Sequence, residues 1–367
     1  MSSVDTIRVR WWSYRRQRLG RSAGGLLEAL RHVVGVYSVH PTAPLSLAAR
    51  VAAFSAGAFR RLEAERTALM LPAMRGCGYL LPRETAHLAF HSTRRPVAQH
   101  RWRIRDAGIS PESYEVLRRA VLAAAREPRS ARQLRADIGA EQSLTPVLQT
   151  MAFEGSLLKV GNESLRSNAM GYVAADAWLG GGLPPAEPGG ALAWLAGEYL
   201  RAFGPAREED FRWWAGRPAR EAAVALSRVE TVALDGGYLL PAADLERFET
   251  VTAPAGGSLD LLPKWDAYTM GYAPDGRERF VDPEVQARVF DSDGNGLGVV
   301  LVDGLAAGAW SARFAGERME VRLDMFAHSM GRLRKAIADR FQELAGLLGG
   351  RGVTVEPVDA VGRRAPR

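Results

Sequence analysis

The chain has 367 residues, 47% of them hydrophobic and 24% charged, with a single cysteine. That composition supports packed cores in roughly two to four small domains and excludes a disordered chain, and Cys77 alone excludes an internal disulfide. No Cys/His group has zinc-ligand spacing, and the longest apolar stretch, Leu297 to Trp310, is broken by Asp303. The expectation is a cytoplasmic, monomeric protein without metal, cofactor or membrane span.

Charge is distributed unevenly. Residues 1–105 hold 18 arginines against 5 carboxylates, a local net of +13, whereas residues 106–367 hold 30 basic and 36 acidic side chains, a net of −6. Positive potential gathered at one end steers and holds a polyanion; a solvated basic face with no partner is the alternative. Because the chain has 45 arginines and only three lysines (Lys159, Lys264 and Lys335), the use of Arg in place of Lys carries no information about recognition. Position along the chain carries it.

In chain order, the basic third (1–105) runs RWWSYRRQRLG, SAGGLLEALRHVVGV, PLSLAARVAAF and a hairpin-like LPAMRGCGYLLP, which reads as a first winged helix with insertions. Arg8, Arg10, Arg15, Arg16 and Arg18 flank Trp11, Trp12 and Tyr14, and Arg94, Arg95, Arg101, Arg103 and Arg105 surround His100 and Trp102. Interleaved cations and rings suit phosphate contact combined with stacking or wedging against a base. At helical spacing Trp11, Trp12 and Tyr14 read more simply as core residues. His87, His91 and His100 lie close together but lack further ligands for a metal.

The second module (106–180) is the clearest. Ser110 as N-cap and Pro111 at the first helical position open a helix with the apolar stripe Tyr114, Leu117, Val121 and Ala125. Ser130 and Gln133 form a capping box for the next helix, which Gly139 stops. A third helix runs from Thr145 and Pro146 to Phe153 and ends at Gly155, and SLLKV and AMGYVAAD read as the two strands of a wing. GGGLPPAEPGG (180–190) is a linker by composition. The same plan then repeats over 190–250, with Leu192, Leu195, Tyr199 and Phe203 lining its first helix and Asp235–Gly237 turning its hairpin. Residues 258–367 carry strand patterns (GVVLVDG, AAGAWSARF, RMEVRLDMF) and a final helix over 330–348, a small mixed domain resembling a partial barrel.

A helix-turn-helix reads DNA with polar and basic side chains on its last helix. The middle one, LTPVLQTMAFEG, has no Lys or Arg, so it is expected to pack against its neighbours, leaving the basic first third to hold DNA. DSDGNG (291–296) starts like a calcium loop, but Val302 stands at its twelfth position, so it reads as a polar turn. Neither a phosphate-binding G-x-x-x-x-G-K-[ST] loop nor a G-x-S-x-G elbow occurs.

Three segments, VGVYSVHPTAPLSLAARV, YLRAFGPAREEDFRWWAG and LLPKWDAYTMGY followed by FVDP, occur in an order that resembles the tandem winged-helix DNA glycosylases of the AlkZ and YcaQ type. The resemblance runs nearly end to end. It implies an α+β fold of tandem winged-helix modules with a small C-terminal mixed domain, and a partner of duplex DNA carrying alkylated purines or crosslinks. The activity implied is metal-independent hydrolysis of the N-glycosidic bond.

Two positions depart from the family pattern. Where its catalytic segment has Q-x-Q or Q-x-D, this chain has Tyr37 and Val39. Tyr37 keeps a hydroxyl, Val39 has no polar atom, and His40 is the other polar candidate as a base near neutral pH. The hairpin matching R-G-T-x-H-x-x-P reads Arg75, Gly76, Cys77, Gly78, Tyr79, Leu80, Leu81, Pro82, with tyrosine in the histidine position. The candidate catalytic residues are thus Tyr37 and His40, and the candidate DNA contacts are Arg8, Arg10, Arg15, Arg16, Arg18, Arg75, Tyr79, Arg94, Arg95, Arg101 and Arg103. The alternative reading is a non-catalytic protein that recognises damage, confers genotoxin resistance or regulates a promoter.

Overall fold

The computed structural model describes residues 5–39, 41–161, 164–254, 257–326 and 333–361. The first module opens with helix α1 (Thr6–Arg16), whose first turn is capped by the Asp5 carboxylate accepting from Ile7 N, and continues through α2 (Leu26–His32). Strand β1 (Val36–Tyr37) leads into α3 (Thr42–Ala48), every residue of which is buried, then α4 (Ala56–Ala64). A hairpin follows, with β2 (Ala68–Pro72) and β3 (Gly78–Pro82), and then α5 (Arg83–Thr93) and the short α6 (Trp102–Asp106).

The second module keeps its local signals. Ser110 caps α7 (Pro111–Ala124), and Ser130 and Gln133 form the expected reciprocal box at α8 (Ala131–Asp137). Helix α9 (Thr145–Glu154) ends on Gly155, whose φ of 80° only glycine adopts without strain. Gln133 N donates to Ser130 Oγ at 3.2 Å and Ser130 N to Gln133 Oε1 at 2.9 Å. Replacing Ser130 with alanine removes one of these bonds and weakens the other, so an expected loss of about 1 kcal/mol should appear as a lower urea midpoint with unchanged m.

Short strand β4 (Arg129–Ser130) joins β5 (Leu157–Gly161) and β6 (Met170–Ala174). Strands β5 and β6 pair antiparallel as the expected wing, and this wing does not stand alone. Met70 of β2 pairs with Lys159 of β5, so the two wings fuse into one six-stranded sheet in the order β1-β3-β2-β5-β6-β4. Helix α9 lies behind it with Val147, Leu148 and Met151 buried, so the middle recognition-type helix is a packing element, as its lack of basic residues foretells.

After α10 (Ala175–Leu179), the third module comprises α11 (Pro188–Phe203), α12 (Glu208–Ala215), α13 (Ala219–Leu226), a hairpin of β7 (Thr231–Leu234) and β8 (Tyr238–Pro241), and α14 (Leu245–Glu249). The remaining strands, β9 (Leu259–Leu262), β10 (Gly298–Val302), β11 (Leu305–Ala315), β12 (Arg318–Met325) and β13 (Gly352–Pro357), form a sheet in the order β13-β12-β11-β10-β9. Its order is linear, with β13 and β9 at the two edges. Residues 330–332, the start of the expected final helix, lie outside the described residues; the helix is seen as α16 (Arg334–Leu347), after the short α15 (Gln286–Val289), with Phe341 edge-on to Trp310 at 5.3 Å.

Helix α1 does not stay with the first module. Val9 and Trp12 pack with Leu234, Leu240 and Phe248 of the third module, while Trp11 and Tyr14 join the main core and Tyr14 Oη donates to Asp260 at 2.6 Å. Its three aromatic residues are therefore the glue between modules. Among the described residues no helix is long and apolar enough to cross a membrane.

Candidate functional site

Register places Tyr37. In the antiparallel pairing of β1 with β3, Tyr37 stands opposite Tyr79, with ring centroids 4.6 Å apart, and Ser38 N donates to Gly78 O at 3.0 Å. Arg75 occupies the turn between β2 and β3 with φ of 56°, a left-handed conformation that aims its side chain back over the sheet. Its Nη2 donates to the Tyr37 hydroxyl, and its guanidinium lies 4.1 Å from the centroid of the Trp213 ring. A Cβ at Gly216 would stand 3.0 Å from Arg75 Cα, so glycine after α12 lets the two segments approach.

A second segment closes the far side of Tyr37. Trp265 stacks on it with centroids 6.4 Å apart, and Lys264 Nζ lies 4.4 Å from the Trp265 centroid. Two tethers hold this segment. Thr42 Oγ1 donates to Lys264 O at 2.9 Å, and fully buried Arg50 makes a two-pronged pair with Asp266, 2.9 Å on each prong.

The electrostatics of the site are cationic. Arg277 is only 2% exposed, sits 3.6 Å from the Phe290 centroid and 5.3 Å from that of Trp213, and makes one long hydrogen bond, from Nη2 to Gly294 O at 3.4 Å. Burial, aided by the charge of Arg75, pushes Arg277 down to about 10, which leaves it protonated at neutral pH. Trp213 thus has two guanidinium groups against it. Among the described residues no carboxylate is within ion-pairing distance of Arg75 or Arg277. Burial also raises the Tyr37 and Tyr79 hydroxyls, so both stay protonated and neither serves as a ready base.

Arg75 forms a wall of a neighbouring cup of about 120 Å³, which Arg94, Arg95, Arg103, His100, Trp102, Phe90 and Phe153 also line. His100 lies flat on Phe153, centroids 4.4 Å apart and planes 8° from parallel, and the Arg103 guanidinium is 4.9 Å from both Trp102 and Phe153. Burial, and then Arg103, Arg95 and Arg94, lower the His100 pKa, so its ring is neutral at pH 7.

A family model described as DNA glycosylase AlkZ-like matches residues 30–347. The chain belongs to the AlkZ-like DNA glycosylase family. The DNA glycosylase AlkZ of Streptomyces sahachiroi has the same fold, with a TM-score of 0.74 and 21% identity over 97% of this chain and 100% of that one. No curated protein matches the chain.

With the AlkZ-like family established, the family segments can be seen to converge. Tyr37 comes from the first, Trp213 from EEDFRWWAG and Trp265 from LLPKWDAYTMGY; Trp265 stacks on the Tyr37 ring and Trp213 lies against the Arg75 guanidinium that bonds the Tyr37 hydroxyl. Val39 is half-buried and offers only carbon; His40 lies outside the described residues.

The candidate DNA contacts divide into engaged and available arginines. Arg10 Nε donates to Arg279 O, Arg16 Nε to Arg201 O while its Nη2 pairs with Asp244 at 3.1 Å, and Arg18 pairs with Glu28 at 3.2 Å. Arg101 pairs with Glu115 at 3.3 Å. Arg8 is half-buried on α1 and Arg15 exposed, and Arg94, Arg95 and Arg103 have no carboxylate partner among the described residues. No group of histidines and acids among those residues suits a metal. Arg277, Phe290 and Phe153 escaped the sequence reading because no local pattern marks them; Trp213 and Trp265 stood within the quoted motifs.

Proposed function

We propose that this member of the AlkZ-like family engages duplex DNA through its arginine-rich first third and has given up N-glycosidic hydrolysis at the Tyr37 position. One observation carries the second half: Val39, at the second catalytic position of the family pattern, is half-buried and presents only carbon. Glycosidic hydrolysis develops positive charge on the sugar and needs a held water beside it. The Tyr37 hydroxyl, at the first position, is already taken by the Arg75 guanidinium, so it is poorly placed to hold that water. Val39 supplies no atom to position water.

The test uses duplex DNA carrying N7-alkylguanine and duplex DNA carrying a nitrogen-mustard crosslink, with released base quantified by mass spectrometry. The expected result is no release above a heat-killed control, together with salt-sensitive binding of both duplexes. Release that Tyr37→Phe or His40→Ala abolishes would overturn the non-hydrolytic reading and restore the family chemistry with new residues. Affinity that follows one sequence rather than the lesion would point to regulation instead.

A further inference from the structure

The cup beside Tyr37 has chemistry that duplex contact does not use. Trp102 is 49% exposed, large and flat, at the mouth of a depression whose inner wall is the His100–Phe153 stack. Arg94, Arg95 and Arg103 rim it without a carboxylate partner among the described residues, and Arg75 links it to the Tyr37 hydroxyl. Rings framed by unneutralised guanidinium groups match a nucleobase with phosphates on either side. A base within a duplex has both faces covered by its neighbours and cannot stack on a side chain.

We infer that this cup takes one unpaired nucleotide of a DNA duplex, its base stacked on Trp102 and its flanking phosphates held by Arg94, Arg95 and Arg103. The inference rests on the DNA-binding reading above and specifies what the protein detects: lost pairing rather than an alkyl group. Magnitude selects the unpaired base. Stacking on one aromatic side chain is worth roughly ten- to a hundredfold in affinity, which extraction of a paired base would consume but an already unpaired base retains. A bulky lesion that prevents pairing presents such a nucleotide in or opposite the damaged position, next to the Arg75–Tyr37 pair.

The experiment measures anisotropy of the full chain with labelled duplexes of one sequence: fully paired, with a single-nucleotide bulge, and with that bulge lacking its base. The bulged duplex is expected to bind at least tenfold more tightly than the paired one, and removal of the base to erase the gain. Trp102→Ala should bring the bulged-to-paired ratio close to one, and Trp102→Phe should keep most of it. Because the side chain is half exposed, the alanine variant is expected to melt with the parent, which a thermal scan verifies. Equal affinity for paired and bulged DNA, a preference that survives Trp102→Ala, or full affinity for the baseless bulge would each overturn the inference. Failure to bind any of the three duplexes at low salt would instead overturn the DNA-binding reading beneath it.

Discussion

Replacing Arg50 with methionine is expected to cost the fold about 3–5 kcal/mol, because the change strands a buried carboxylate. Arg50 and Asp266 are both fully buried, and Arg50 Nη1 also donates to Ser46 O at 2.7 Å while Asp266 Oδ1 accepts from Tyr268 N at 2.8 Å. The pair therefore joins the end of α3 to the segment that lays Trp265 against Tyr37. A domain of ordinary stability has about 5–15 kcal/mol in total, so the single variant is expected to lose much of its cooperative urea transition. The companion variant Arg50→Met with Asp266→Asn removes the stranded charge and should recover a large part of the loss. Should the double variant be no more stable than the single one, packing around Arg50 rather than charge burial holds this junction.

How much of this was legible in the sequence depended on the range of the signal. Caps and turns are local: Ser110, the Ser130–Gln133 box, Gly155 and the Asp235–Gly237 turn each act within a few residues, and each stands where the pattern predicts. Fusion of the two wings is not local. It rests on one long-range register, Met70 with Lys159, that no periodicity encodes, since an edge strand and a paired strand share the same alternation. Helix α1 shows the same limit. Its arginines and aromatics fit a DNA-facing helix and an inter-module helix equally well, and the partners that decide, Asp244, Asp260 and Arg201 O, lie more than a hundred residues away. The departure at Tyr37 and Val39 was visible at once, but its meaning was not. Only the fold brings Arg75 onto Tyr37 and sets Arg277 and Trp213 behind it.

The triple change of Arg94, Arg95 and Arg103 to alanine is expected to flatten the salt dependence of DNA binding far more than loss of the α1 arginines. Each phosphate neutralised contributes about 0.9 to the slope of log affinity against log salt, so three contacts account for a slope change of up to about 2.7 and roughly 40-fold in affinity between 50 and 200 mM salt. Charge count along the chain would give the α1 cluster equal weight. Geometry does not, because Arg16 is held by Asp244 and Arg201 O, Arg18 by Glu28, and Arg10 by Arg279 O, so moving any of them to a phosphate means breaking a bond already made. Arg15, exposed and without an ion-pair partner among the described residues, is the α1 residue to compare, and Arg15→Ala should shift the slope by about one at most. Both variants are measured on one duplex in one titration series, so their slopes compare directly. A slope that falls equally in both variants would spread the electrostatic surface over both clusters. An unchanged slope in the triple variant would move DNA away from the cup altogether and leave the uneven charge of the chain as a solvated face.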